Sequence, residues 1–432
     1  MASFSIPLTG LKADSTALNT IANNLANMNT TAFKSQTTNF SDLFYQEIGT
    51  TGAGDPIATG AGVKVASNRI AFTQGSINST TEPADIALNG SGFFVLGNGG
   101  AGYELSRAGN FSIDSKGDLV TTSGMNVMGY PAVNGVVNTN APLTAINLPI
   151  GQVQAPRATS SMSMSGNLNA GATTIPSTAF PAQITVYDSL GESHTVTVTF
   201  TQASTVAQPN TWDYSIALPS SDYSGVAPAP ITGTLGFDGS GNLTSITPTG
   251  GAAGTVGSAP GDVSSIPLSF TGLADGAADL SIQWNLLGSG GLPNITQVAT
   301  DSAFPGTLQD GYASGQYQGF SVGSDGTITA TYSNGKSQNV GQLALADVAN
   351  EQGLELLGDG NYGTTAASGT ASIATSGTSG LAKIQGGALE GSNVNISSEF
   401  SNLIIAQRAF EANAKSVTTF DTVAQDTINM VH

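Results

Sequence analysis

The sequence predicts a mainly β protein with paired N- and C-terminal α-helices, its β-domains nested and discontinuous on a terminal coiled coil. Three observations predict it. Apolar residues recur at heptad spacing at the two ends of the chain. Glycine is plentiful, at 55 of 432 residues, while charged residues make up only 9%. That is turn-rich β composition, not the Lys/Glu-rich make-up of a helical protein. Between the ends, short runs of apolar or alternating residues are separated by glycine-containing turns.

Residues 1–33 are assigned to the first helix. Leu11, Leu18 and Leu25 are seven apart, as are Ile21 and Met28. Lys12 and Asp14 are its only charges. Asn19, Asn23, Asn24, Asn27 and Asn29 are poor helix formers, so this helix is marginal alone and depends on docking. It should end near Asn29.

The second helix takes residues 396–432. One row runs through Leu403, Phe410, Val417, Ala424 and Val431, and a partly polar row through Phe400, Gln407, Ala414, Asp421 and Ile428. Ser397 and Ser398 can cap it, and Glu399 in the first turn suits the helix dipole. Glu411 lies within ion-pair spacing of Arg408 and Lys415. A seam needs a partner, and the two ends share one rhythm. They are expected to pair; the alternative is two unrelated helices capping a β-domain.

Residues 34–70 and 381–395 read as a linker region that packs in part. Residues 71–148 and 298–380 form a first β-domain, including a hairpin around Asp114-Ser115-Lys116-Gly117. Residues 149–297 read as an inserted outer β-barrel or sandwich. Thr195 to Phe200 alternate cleanly there, and Ile282-Gln283-Trp284 closes the region. In the return segment, residues 327–332 and 338–345 flank Ser333-Asn334-Gly335-Lys336, where Asn-Gly is the preferred type I′ pair. Residues 363–380 are low in complexity and read as an exposed loop.

The search for chemistry excludes more than it finds. A formal charge of −18 argues against binding nucleic acid. With no cysteine, disulfides, thiolate metal sites, cysteine nucleophiles and cysteine-derived cross-links are all excluded. No apolar run is long enough for membrane insertion, and no signal-peptide pattern opens the chain. His194, in an alternating strand, reads as a solvated residue without an acidic partner nearby in sequence. His432 is terminal. Asp238-Gly239-Ser240-Gly241-Asn242 resembles half a calcium loop, but Thr249 stands where the bidentate Glu belongs. The glycine run at 97–102 lacks the Lys-Ser/Thr of a phosphate loop. No enzyme activity, cofactor or metal is expected.

Thr9-Gly10-Leu11-Lys12-Ala13 and Asn23-Asn24-Leu25-Ala26-Asn27-Met28-Asn29-Thr30-Thr31-Ala32-Phe33-Lys34 carry a resemblance. So do Gly387-Ala388-Leu389-Glu390-Gly391-Ser392-Asn393-Val394 and Ala406-Gln407-Arg408-Ala409-Phe410-Glu411-Ala412-Asn413-Ala414-Lys415. With residues 87–95, 106–111, 310–315 and 330–335, they resemble the bacterial flagellar rod and hook axial family, its hook branch in particular. Ala32 stands where that family commonly has glycine, which speaks against a left-handed turn there.

The resemblance implies a self-assembling, non-enzymatic subunit of the flagellar hook, a flexible tube passing torque from rod to filament. The self-assembly interface is then expected at Leu11, Leu18, Ile21, Leu25, Met28, Phe400, Leu403, Phe410 and Val417. Implied partners are other copies of the chain, distal rod subunits, the hook cap or scaffolding protein, the hook–filament junction protein and the flagellar export apparatus. The implied location is the extracellular hook, reached without a cleaved signal peptide. Two other readings stand beside it: a distal rod or hook-associated axial subunit, and a secreted β-rich glycan-binding protein or glycosidase.

Overall fold

The structure is a computed structural model that describes residues 5–51, 55–97, 102–171, 178–202, 210–251, 253–378 and 380–430. Val431, His432 and residues 98–101 of the glycine run lie outside these. The fold is mainly β with two terminal helices that pack together. The chain divides into two compact units: Met1–Ile150, Gln318–Thr331 and Ser337–His432 form unit 1; Gly151–Tyr317 and Tyr332–Lys336 form unit 2.

In unit 1, helix α1 spans Ser5–Ala26 and helix α2 spans Ile396–Met430. The first helix stops three residues before the expected Asn29. The cap of α2 is Asn395, whose Oδ1 accepts the Ser398 N–H at 3.1 Å; Ser397 and Ser398 lie inside the first turn instead. Part of the expected linker is regular structure. Gln36–Asp42 pairs antiparallel with Val63–Ile70, and Tyr45–Thr50 with Pro56–Gly60.

The central sheet of unit 1 explains its most apolar run. Phe93–Gly97 pairs with Asn126–Val133, Glu104–Ser106 and Ser337–Asp347. Successive side chains point to opposite faces. Phe94 and Leu96 enter one core with Ile86, Leu88, Val127 and Leu345. Phe93 and Val95 enter a second with Leu105, Tyr130 and Tyr362. A strand covered on both faces reads as continuously hydrophobic, not alternating.

Two expectations about turns and loops are corrected. Gly335 is left-handed, at φ 74°, but Asn334 is not among the residues of positive φ, so that turn is not type I′. The Asn-Gly pair with both residues left-handed is Asn134-Gly135, at 52° and 79°, joining Asn126–Val133 to Val136–Val137. Within the supposed loop at 363–380, Ser372–Thr375 is a strand paired with residues 344–347, and Ser368 is fully buried. Ser379 lies outside the described residues.

Unit 2 is a two-sheet sandwich. One sheet is an antiparallel meander of Phe180–Tyr187, Ser193–Gln202, Thr211–Ala217, Ile231–Phe237, Leu243–Pro248 and Gly254–Thr255. The other is built on Ser161–Asn169, which pairs in parallel with Leu280–Asn285 and Ile295–Val298 and antiparallel with Ala303–Gln309. Trp212, Tyr214, Trp284, Phe200 and Met164 share the core between them. The unit therefore runs on to Tyr317. Residues 298–317 do not belong to the first β-domain, and Trp284 does not close the region. Their pairing with the first strand of the unit is non-local and leaves no trace in local pattern.

His194 is also corrected. It is 5% exposed, on the same strand face as Val196, Val198 and Phe200, and both ring nitrogens meet carboxylates. Burial would lower its pKa; hydrogen bonds to Asp222 and Asp188 outweigh that and raise it.

Candidate self-assembly interface

The two helices run antiparallel, their inner ends held by one clamp. Ala32 follows α1 with φ 55°, so the left-handed turn exists without glycine. Its N–H donates to the Glu390 carbonyl at 2.8 Å. The neighbouring Lys34 Nζ donates to Glu390 Oε1 at 2.6 Å and to the Thr73 carbonyl at 2.9 Å. Oε1 also accepts the Gly75 N–H at 2.9 Å, and Arg107 Nε lies 3.5 Å from Oε2. Burial pulls the Lys34 ammonium below the ordinary lysine pKa, against the opposing pull of Glu390. The Asn393 side chain adds four bonds: Oδ1 accepts the Ser35 N–H at 2.7 Å, and Nδ2 donates to the carbonyls of Ala71 and Thr73 and to the Thr73 hydroxyl. The N-terminal and C-terminal segments are thus tied immediately before the helices emerge.

From that clamp the pairing follows small residues. The buried row on α1 includes Gly10, Ala13, Ala17, Thr20 and Asn24, in alternating steps of three and four. Small side chains let two backbones approach closely, and a Cβ added to Gly10 would lie 2.7 Å from Asn413 Nδ2. That amide donates to Asp14 Oδ2 at 2.8 Å. Asn24 faces the strand beside it: Nδ2 donates to the Gln36 carbonyl at 2.8 Å, and Oδ1 accepts the Gln36 N–H at 2.9 Å. Thr38 donates to the Thr20 hydroxyl at 2.9 Å. An asparagine read only as a weak helix former is here a specific bracket between helix and ladder.

The large residues expected at the interface are placed differently. Leu403 and Val417 are half-buried on a row of α2 with Glu399, Ala406, Asn413, Phe420 and Ala424. Leu11, Leu18, Ile21 and Leu25 are half-buried, outside the fully buried row of α1. Met28 lies beyond the end of α1 and is exposed. Phe400 and Phe410 stay 53% and 37% exposed. The intramolecular contact thus uses the small row. Gly10, Ala13, Ala17, Thr20 and Asn24 went unnoticed because a search for large apolar residues passes over them; their own spacing of seven was the available signal.

Large apolar side chains remain uncovered on both helices. Ile6 and Leu8 on α1, and Ile404, Ile405, Ile428 and Met430 on α2, are exposed with Phe400 and Phe410. No helix among the described residues is long and apolar enough to cross a membrane. Large apolar side chains left exposed along a long helix mark surface for association.

Helical ends clamped together, with discontinuous β-structure between them, define an axial subunit of the bacterial flagellum. The family models agree. Residues 7–34 match the flagella basal body rod protein model, and residues 385–430 match the flagellar basal body rod FlgEFG protein C-terminal model. Residues 87–179 match the flagellar hook protein FlgE/F/G D1 domain, and residues 160–312 match the flagellar basal body protein FlaE D2 domain.

The flagellar hook protein FlgE of Treponema pallidum is 34% identical, over 98% of each chain. That of Salmonella typhimurium is also 34% identical, over 99% of this chain and all of the other. The chain belongs to the flagellar hook protein FlgE family. A crystal structure of Helicobacter pylori flagellar hook protein FlgE2 shares the fold, with a TM-score of 0.51 at 14% identity over 71% of this chain and 99% of that one.

Proposed function

We propose that this chain is the structural subunit of a bacterial flagellar hook, polymerising through the uncovered faces of α1 and α2. The observation that carries this is on the helices: the fully buried row of α1 is made of small residues, while Ile6, Leu8, Phe400, Ile404, Ile405 and Phe410 stay exposed. Burying one such large side chain contributes about 1.5–3 kcal/mol, so a few per neighbour suffice for a strong lateral contact. Contacts of two different surfaces that do not close on themselves build a helical tube. Full-length similarity to named hook proteins favours the hook over the distal rod and a structural role over a catalytic one. It also favours an extracellular location on the flagellum. The same reading makes distal rod subunits, a hook cap, a hook–filament junction protein and the export apparatus its partners.

The test is Phe410→Asp. A carboxylate on the exposed face should abolish polymers in negative-stain images while circular dichroism shows intact β-structure. Wild-type-length polymers from this variant would refute the assignment. Proteolysis checks the same point independently: residues before Lys34 and after Ser397 should be cut in the monomer and protected in the polymer.

A further inference from the structure

In unit 2, side chains from four segments converge. Asp188 opens the turn after Phe180–Tyr187, His194 lies on Ser193–Gln202, Asp222 ends the 3-10 turn Ser220–Asp222, and Asp275 lies between Ser265–Phe270 and Leu280–Asn285. One ligand atom from each of Asp188, His194 and Asp275 lies within 4.8 Å of the others. The atoms are held in advance. Asp188 Oδ1 accepts the N–H groups of Leu190 and Glu192, at 2.8 and 2.9 Å, which leaves Oδ2 facing His194 Nε2 at 3.1 Å. Asp275 Oδ1 accepts the Ala277 N–H at 3.0 Å, which leaves its second oxygen over. His194 Nδ1 lies 2.9 Å from Asp222 Oδ2, and Asp222 Oδ1 accepts the Ser221 hydroxyl at 3.0 Å.

A positive species is needed at the centre, either an imidazolium donating from both nitrogens or a bound cation. A neutral imidazole donates from one nitrogen only. With Nδ1–H given to Asp222, the Nε2 lone pair points at a buried carboxylate oxygen. Asp188 and Asp275 also bring a carboxylate oxygen each to within 4.8 Å of one another. Lone pair against carboxylate, and carboxylate against carboxylate, both repel unless protons or a cation lie between them. One divalent ion relieves both contacts at once.

We propose that Asp188, His194 and Asp275 bind a first-row divalent cation of the Zn²⁺ or Mn²⁺ type, with Asp222 as the positioning residue that fixes the imidazole tautomer. Two ligands each about 2.1 Å from an ion and 3.1 Å apart subtend an angle of about 95°, an octahedral edge. One imidazole and two carboxylates suit Zn²⁺ or Mn²⁺. Calcium seeks six to eight oxygens at longer range. Asp275 is exposed, so water can complete the sphere from that side. On binding, any proton on Nε2 leaves to solvent while Nδ1–H stays on Asp222. The ion would staple the turn at 188–192 to the loop holding Asp275, stiffening one end of the sandwich.

The experiment titrates ZnCl₂, MnCl₂ and CaCl₂ into chelator-treated full-length protein by calorimetry and follows the His194 imidazole nitrogens by NMR. The expected result is one Zn²⁺ or Mn²⁺ per chain, a rise in Tm and a shift of the Nε2 resonance. Asp222→Asn should weaken binding about 10–100-fold. Asp275→Asn, at an exposed position that does not threaten folding, should weaken it at least as much, because it removes a charged ligand. No binding overturns the proposal. So does binding undiminished in Asp275→Asn, or Ca²⁺ bound as tightly as Zn²⁺ with no change at Nε2.

Discussion

Replacing Lys34 by Met tests the clamp at the root of the helices. The substitution keeps an unbranched apolar stem and removes the ammonium. Both side chains of the Lys34–Glu390 pair are 0% exposed, so no water takes the place of the lost donor. Glu390 Oε1 would keep only the Gly75 N–H, and the Thr73 carbonyl would lose its lysine. Breaking a buried ion pair by removing one partner costs about 3–5 kcal/mol. Arg107 Nε, 3.5 Å from Oε2, still offsets part of the stranded charge, which places Lys34→Met near the lower end, at about 3 kcal/mol. Glu390→Gln strands two cations and belongs near the upper end. The double variant Lys34→Met/Glu390→Gln should cost clearly less than the sum of the two, because the first loss removes the reason for the second. Urea unfolding followed by circular dichroism gives the energies. Amide exchange at Ala32 and Gly75 reports whether the loss is local. A loss below about 1 kcal/mol for Lys34→Met, or additive single variants, would show that the pair holds nothing together.

Three further outcomes are expected. Ala32→Gly should stabilise by up to about 1 kcal/mol in urea unfolding, since alanine at φ 55° carries a strain that glycine does not; a loss would mean that the alanine methyl packs more than the turn costs. Gly10→Leu should destabilise by about 1–3 kcal/mol by driving the helices apart at Asn413, while Gly10→Ala stays within about 1 kcal/mol because the amide can move and alanine favours the helix; equal effects would argue against close packing. Burial would raise the Asp310 pKa, but the Ser160 hydroxyl, the N–H groups of Ser160 and Ser161 and the charge on Arg157 outweigh it and hold the carboxyl below its ordinary value. Its stabilisation is therefore present above the ordinary carboxylate range and lost as pH falls through the lowered value. The wild-type advantage over Asp310→Asn should shrink in acid, and an advantage independent of pH would contradict this.

Local pattern carried the architecture to a definite depth. Heptad rows revealed two helices, and alternation in residues 195–200 revealed a half-buried strand, because both periods are properties of neighbouring residues. The same alternation extends back to His194 and places it on the buried face, yet its partners come from turns that only the fold brings together. The fully buried row of α1 went unnoticed for a related reason. Large apolar residues announce burial, whereas Gly10 and Ala13 announce proximity, and proximity has no hydropathy. The strand Ala303–Gln309 was placed in the wrong domain because its partner, Ser161–Asn169, lies far away in the sequence. Asn334-Gly335 and Asn134-Gly135 offer the same dipeptide to the chain. Only the second becomes a type I′ turn, so the flanking strands decide the geometry.

Arg157 and Tyr312 exchange both backbone hydrogen bonds, N–H to carbonyl at 3.0 and 2.9 Å, and Asp310 grips Ser160 and Ser161 beside them. The polypeptide therefore begins and ends this long excursion on paired segments, Val153–Gln154 against Gly315–Gln316 and then Arg157 against Tyr312. An excursion whose ends already touch adds little closure entropy however long it grows, and insertions succeed at such seams. Lengthening, shortening or exchanging everything between those paired segments is a cheap evolutionary move, available to a lineage that needs a different surface on unit 2.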